Sequence, residues 1–166
     1  MTALYSISPL YEENARVITT WRYPEPYDLY DLNADDLSGF LNPEYRYHQV
    51  LDRNGSLIGY CCFGLDARVP GGKYPQNEPE YLDIGVGMKP SYTGQGRGAD
   101  FVRAILDYGA EGYQPEMFRV TIASFNQRSL KTFQRLGFKI QSSFEREMIQ
   151  IQFFQLERPV MEENYG

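Results

Sequence analysis

Residues 92–99 read Tyr-Thr-Gly-Gln-Gly-Arg-Gly-Ala, with a glycine at every second position from Gly94 to Gly98. An apolar strand pattern precedes them and an amphipathic helix pattern follows. A strand-to-helix turn stripped of side chains lets backbone N–H groups close around an anion at the positive end of a helix. Gly94, Gln95, Gly96, Arg97, Gly98 and Ala99 therefore point to a phosphate-bearing ligand. A nucleotide P-loop needs Lys and Ser/Thr after its last glycine, whereas Ala99 follows Gly98. A Rossmann turn is allowed by Gly94-x-Gly96-x-x-Ala99, but its setting is wrong. The strand before it is fed by an antiparallel hairpin, and the next strand ends in Ala-Ser with no acid for a ribose. The plainest alternative is a glycine-rich surface turn that binds nothing.

The elements that position this turn follow from periodicity and punctuation. Tyr5–Ile7 alternates as a short strand. Residues 10–21 fit a helix with Leu10, Ala15, Val17, Ile18 and Trp21 on one face, stopped by Tyr23-Pro-Glu-Pro-Tyr27. A short helix is expected from Asp35 to just before Pro43. Residues 45–52 and 56–65 form a hairpin around Arg53-Asn54-Gly55. A loop rich in Pro and Gly spans 66–79, and a strand spans 80–88. After the glycine turn come a helix over about 98–112, a strand over 118–123, and a helix that Asn126 caps and Gly137 ends. In that last helix Leu130, Phe133 and Leu136 share the i, i+3, i+6 face. Strands at about 138–146 and 149–157 form the final hairpin. The expectation is one α+β domain over 1–159 with a flexible tail over 160–166.

The later elements resemble the GCN5-related N-acetyltransferase (GNAT) superfamily. The family's acyl-CoA signature, Arg/Gln-x-x-Gly-x-Gly/Ala, is matched by Thr93-Gly-Gln-Gly96-Arg-Gly98 except at its first position, where Thr93 replaces the usual Arg/Gln. Its later Asn-x-x-Ala-x-x-x-Tyr-x-x-x-Gly-Phe is matched by Asn126-Gln-Arg-Ser129-Leu-Lys-Thr-Phe133-Gln-Arg-Leu-Gly137-Phe138. The element order resembles the family's mixed, mostly antiparallel central sheet flanked by helices, while residues 1–79 match mainly in pattern. The resemblance implies acetyl-CoA as co-substrate, with Val86, Gly87 and Met88 pairing with its pantetheine arm and polarising the thioester carbonyl. It implies that the amides of 94–99 hold the diphosphate and that Asn126 hydrogen-bonds the pantetheine. Phe133 would line the cofactor site where many members carry a tyrosine that protonates the departing thiolate. That missing hydroxyl leaves two expectations: direct acetyl transfer to a primary amine in a ternary complex with another donor, or a non-catalytic acyl-CoA sensor or interaction module.

Relatives that acetylate ribosomal proteins carry a Glu where this chain has Thr121. Aminoglycoside N-acetyltransferases use an Asp on the strand before the glycine turn, which implies Asp83, with Glu80 beside it, as the catalytic carboxylate. A primary amine is mostly protonated at neutral pH, so such a group has a proton to take. Residues 23–44, on the family's acceptor side, hold Glu25, Asp28, Asp31, Asp35, Asp36 and Glu44 with no Lys or Arg, and Tyr23, Tyr27 and Tyr30 lie among them. Carboxylates and tyrosines together favour a cationic amine, so Tyr27, Asp28 and Asp31 are candidate acceptor-binding residues.

Charge and composition narrow the partners. The net charge is −6, which disfavours a nucleic-acid partner held through phosphates. Residues 1–90 hold 13 acids against 7 bases and residues 91–166 hold 9 against 9, so an anion suits the second half and a cation the first. No apolar run is long enough to span a membrane and no leader pattern opens the chain, which predicts a cytoplasmic protein without a membrane partner. Adjacent Cys61 and Cys62 have neither disulfide geometry nor metal-ligand spacing, and His48 has no partner pattern, so no metal or nucleophilic cysteine is expected. The resemblance implies a small-molecule or peptide amine as acceptor, and the final strands, exposed in that fold, lead to the expectation of a homodimer.

Overall fold

The computed structural model describes residues 3–76 and 79–161. Its strands are β1 (Ser6–Pro9), β2 (Tyr47–Leu51), β3 (Leu57–Phe63), β4 (Tyr81–Met88), β5 (Met117–Ala123), β6 (Lys139–Arg146) and β7 (Ile151–Pro159). They form one sheet in the order β1-β2-β3-β4-β5-β7-β6. All neighbours are antiparallel except β4 and β5, which run parallel. The helices are α1 (Glu12–Ile18), α2 (Leu37–Leu41), α3 (Gly98–Tyr113) and α4 (Gln127–Arg135). This is the expected mixed, mostly antiparallel sheet with flanking helices, in the expected order.

Two apolar clusters sandwich the sheet. On one face α3 and α4 bury Phe101, Val102, Ile105, Leu106, Leu130, Phe133 and Leu136 against Val50, Phe63, Ile84, Phe118 and Val120. The other face carries a smaller cluster of Ala15, Ile18, Trp21 and Phe40 against Tyr47 and Tyr60. The first helix ends earlier than its apolar pattern suggests. Thr19 and Thr20 turn their hydroxyls back onto the carbonyls of Arg16 and Val17 at 2.6 Å each, a local alternative to the helical ladder. Val17 is accordingly 43% exposed rather than part of the inner face. β7 starts two residues late because the β6–β7 turn includes Gln150 at φ 55°. The tail expected over 160–166 lies outside the described residues from 162 onward, while Val160 donates its N–H to Glu116 at 3.0 Å.

Cys61 and Cys62 are buried on opposite faces of β3, and burial pushes both thiols up, Cys62 to about 12. Neither is a thiolate at neutral pH. His48 is 7% exposed, edge-on to Phe63 and Tyr108, with Nδ1 2.8 Å from the Arg46 carbonyl. Burial holds its pKa below the ordinary 6.5. The unfolded chain therefore takes up a proton that the folded chain resists, and stability falls as pH drops below about 6.5. Thermal melts of His48→Gln between pH 7 and 5 are expected to show a shallower decline than the parent.

Candidate active site

β4 and β5 separate along their length, and that separation makes the site. Their ladder pairs Tyr81 with Met117, Leu82 with Phe118 and Asp83 with Arg119, and stops there. Backbone direction alternates along β4. The Glu80 carbonyl accepts from Glu116 and Met117 on the β5 side, whereas the Asp83 carbonyl accepts from Gly64, and Lys89 donates to Ile58, on the β3 side. The ladder's last pair spends the Ile84 N–H on β5, so the N–H groups of Val86 and Met88 face the gap beyond it, while Gly85 and Gly87 pair with β3. A row of backbone donors along an unpaired edge accepts an extended, amide-bearing chain as a further strand would. Gly87 carries no side chain because the Tyr60 ring lies over it, 2.3 Å from where a Cβ would stand.

The glycine turn closes the open end of this gap. Gly94 and Gly96 sit at φ 72° and 75°, the left-handed region that penalises a Cβ. The Thr93 hydroxyl bonds the Pro90 carbonyl at 2.7 Å and the Gln95 amide bonds that of Ser91 at 2.7 Å, so Gln95 offers the site its main chain alone. The first bond of α3 runs from the Phe101 N–H to the Arg97 carbonyl, leaving the N–H groups of Gly98, Ala99 and Asp100 unspent at the positive end of a 16-residue helix. Gly98 lets α3 approach α4: a Cβ there would stand 3.1 Å from Thr132 Oγ1. Cations flank the turn. Arg97 lies over Tyr92 at 4.7 Å, and Arg128 Nη1 stands 3.3 Å from the Cβ position of Gly94.

A strap from Tyr23 to Asp31 spans both lips of the gap. Tyr23 donates its O–H to the Met88 carbonyl at 2.6 Å, and Asp31 Oδ1 fixes the strap by accepting the Tyr23 N–H at 2.8 Å. On the far lip Tyr27 packs on Phe125 and under the Arg128 guanidinium, 4.3 Å from its ring. Arg128 Nε donates to the Tyr27 hydroxyl at 3.3 Å. Asn126 caps α4 by accepting the Ser129 N–H at 3.1 Å, and its Nδ2 donates to the Tyr30 hydroxyl at 3.3 Å. Asp28 is exposed on the strap.

Most of the residues singled out in the sequence thus meet at one end of the sheet: Val86, Gly87, Met88, Gly94–Ala99, Asn126, Tyr27, Asp28 and Asp31. Three do not. Asp83 is 3% exposed at the closed end of the gap, with Arg119 Nε on Oδ1 at 2.6 Å and Arg119 Nη2 and Arg68 Nε on Oδ2 at 2.9 Å each. Both of its oxygens are committed, and it stands five residues, or about 16 Å of strand, from Met88. Glu80 lies further back, in a concavity of about 400 Å³ with Glu44, Arg46, Arg68 and Tyr113. Phe133 is 2% exposed and edge-on to Phe138 in the core, so it offers no surface to a ligand.

Sequence reasoning missed the groups that anchor the 66–76 loop beside β5. Arg119, 1% exposed, is sandwiched between Tyr81 at 4.2 Å and Tyr74 at 5.1 Å and also donates to the Pro75 carbonyl. The Tyr74 hydroxyl receives the Val69 N–H and shares a proton with Thr121 at 2.8 Å, stapling the 66–76 loop onto β5. A charged residue amid the apolar run Phe118-Arg-Val-Thr-Ile was the available signal. Among the described residues no cluster of His, Cys, Asp or Glu has the makings of a metal site. No described helix is long and apolar enough to cross a membrane.

Residues 7–139 match the family model described as "Acetyltransferase (GNAT) domain". Solved structures similar to this chain include a spermidine N-acetyltransferase SpeG chimera from Vibrio cholerae and hSSAT, at 14% identity and TM-score 0.71, covering 95% of this chain and 96% of that one. A GNAT-family acetyltransferase from Bacillus anthracis aligns at 15% identity and TM-score 0.71, over 94% and 95% of the two chains. A protein described as a putative phosphinothricin N-acetyltransferase aligns at 15% identity and TM-score 0.69, over 95% and 99%. No curated protein matches the sequence.

Proposed function

We propose that this chain, which belongs to the GNAT acetyltransferase family, moves an acetyl group from acetyl-CoA to a primary amine by direct attack in a ternary complex. The observation that carries the proposal is the unpaired β4 edge running straight into a doubly left-handed glycine turn at the start of α3. The N–H groups of Val86 and Met88 hold the pantetheine arm, and Met88 N–H polarises the thioester carbonyl as negative charge develops on its oxygen. The amides of residues 94–99 take the diphosphate, with Arg97 and Arg128 supplying charge beside it. Asn126 contacts the carrier's amides at the mouth.

Catalysis then rests on holding amine and thioester together, and on main-chain donors fixed before the reaction begins. We assign no proton transfer to Asp83, whose oxygens belong to Arg119 and Arg68, or to the distant Glu80. The attacking amine loses its proton to water on the open, acidic side of the strap. The structural neighbours act on different amines by their descriptions, so the acceptor is argued from this chain's own charges. Exposed Asp28, with Tyr27 and the other acids of residues 23–36, favours a cation. Asp31 holds the strap through the Tyr23 N–H.

Mixing the protein with acetyl-CoA and a panel of mono-, di- and polyamines, while reading free thiol and product mass, tests the reading. Thiol release with a matching acetylated amine is expected. Tight CoA binding with no turnover on any amine would instead favour the acyl-CoA sensor. Asp28→Lys is expected to raise KM for a diamine about three- to fivefold, since one exposed charge is worth little, and to leave KM for acetyl-CoA unchanged. An unmoved acceptor KM would remove the acidic strap from substrate binding.

A further inference from the structure

The face from which an acceptor reaches the β4 edge is set by what covers the other one. Val86 and Met88 pack into the core beneath α3 and α4, so that side is filled. On the opposite face, toward α1 and α2, β4 presents Gly85 and Gly87, whose register partners on β3 are Cys62 and Tyr60. The Tyr60 ring, packed on Trp21 and Phe40, leans across β4. Its Cε1 and Cζ lie 2.3 Å, and its hydroxyl oxygen 2.6 Å, from where a Gly87 Cβ would stand. The hydroxyl end of the ring thus covers the edge strand one residue, or about 3.3 Å, before Met88.

That hydroxyl is unspent. Nearby Tyr23 gives its proton to the Met88 carbonyl, whereas the Tyr60 oxygen has no hydrogen-bond partner among the described residues. No polar side-chain atom among those residues is sealed in the core without a partner, so the Tyr60 oxygen is open to the outside. Its surroundings are acidic. Burial pushes its pKa up, and Tyr23, Cys62, Asp36 and Asp66 add to the rise, so it stays a neutral phenol whose oxygen accepts hydrogen bonds. Asp36, at the start of α2, commits an oxygen to the Asn33 N–H at 2.8 Å. Asp66 lies on the helical turn Leu65–Ala67 after β3, is exposed, and accepts the Tyr47 hydroxyl. No ion pair among the described residues engages it. The Cβ of adjacent Ala67 is 3.5 Å from the Cβ position of Gly85. Asp66 therefore stands beside a point two strand residues, or about 7 Å, back from Gly87.

We infer, on the acetyl-transfer reading above, that Tyr60 and Asp66 form the acceptor site and make it selective for an amine with a second positive charge. The Tyr60 oxygen accepts an N–H of the attacking amine and turns the nitrogen lone pair toward the thioester carbon at Met88. Asp66, steadied by Tyr47, pairs with the second cation a few methylenes along the same molecule. The N–C bond forms, the C–S bond breaks and the sulfur leaves as the thiolate. The surplus proton on nitrogen passes to water, and the Tyr60 phenol keeps its own.

Steady-state kinetics of the full-length parent, Tyr60→Phe and Asp66→Asn test the assignment, using acetyl-CoA with propane-, butane- and pentane-diamines and the matching monoamines. The parent is expected to favour the best diamine over its monoamine about tenfold in kcat/KM. Asp66→Asn, which keeps the side-chain shape, is expected to erase that preference while monoamine kcat/KM and the KM for acetyl-CoA stay within about twofold. Tyr60→Phe keeps the ring over Gly87 and is expected to lower kcat/KM about tenfold for both kinds of amine, at unchanged Tm and KM for acetyl-CoA. A parent without the preference, a preference that survives Asp66→Asn, or unaltered kcat/KM in Tyr60→Phe overturns the inference and leaves acetyl transfer standing. A parent that releases no thiol with any amine overturns the acetyl-transfer reading and this inference with it.

Discussion

Asp83→Ala is expected to unfold more easily than the parent by about 3–5 kcal/mol, the usual consequence of stranding the partner of a buried ion pair. Arg119 is 1% exposed and takes both Asp83 oxygens through Nε and Nη2, at 2.6 and 2.9 Å. Without the carboxylate two guanidiniums, Arg119 and Arg68, face each other with no anion between them, and Tyr74 and Tyr81 wall off the water that would replace it. For a domain of this size the loss corresponds to a fall in Tm of about 10 °C. Asp83→Leu combined with Arg119→Met is expected to recover much of it, because an apolar pair of similar volume carries no desolvation cost. Thermal and urea denaturation measure the stability, and kcat at a temperature well below Tm separates the roles. A structural ion pair leaves kcat within a few-fold. A collapse of kcat at unchanged stability would return Asp83 to the role of catalytic base.

Gly96→Val carries the second large effect, and it falls on binding rather than folding. Gly96 sits at φ 75°, and no atom lies within 4 Å of the place a Cβ would occupy. The substitution therefore clashes with nothing, but a β-branched residue resists the left-handed backbone, which costs about 1–2 kcal/mol even for an unbranched side chain. The turn relaxes toward φ below zero and its amides swing away from a common centre. Because a diphosphate needs several of those amides at once, KM for acetyl-CoA is expected to rise about 100-fold at nearly unchanged Tm. Gly55→Ala, at φ 80° in the β2–β3 hairpin, serves as the control for left-handed strain alone and leaves that KM unaltered.

The contrast between these two positions explains what could be read from sequence. The glycine turn was legible because its demand is local: alternate glycines between a strand and a helix mark a turn stripped of side chains before any fold is known. The Asn126 cap and Gly137, at φ 95° where the Phe138 N–H returns to the Phe133 carbonyl, were legible for the same reason. The Asp83–Arg119 pair was not. It joins residues 36 apart, and their meeting depends on the parallel register of β4 and β5, which no local spacing encodes. Asp83 therefore passed for an active-site carboxylate because relatives carry an Asp at a similar place on the strand before the glycine turn. Phe133 is a reversed case. Its spacing with Leu130 and Leu136 already placed it in the core, whereas a place beside the cofactor came only from its relatives. The acidic, tyrosine-rich strap was visible as composition, but the destination of each hydroxyl, Met88 for Tyr23 and Asn126 for Tyr30, is set by tertiary contact.

Calorimetric titration of the full-length protein with coenzyme A is the decisive measurement, because the β4 edge and the glycine turn would form one continuous site for that molecule. One site per chain with a roughly micromolar or tighter Kd is expected, lost in Gly96→Val, with no comparable heat from a nicotinamide dinucleotide. Absence of binding by coenzyme A to the folded parent, or binding that Gly96→Val leaves untouched, would contradict it.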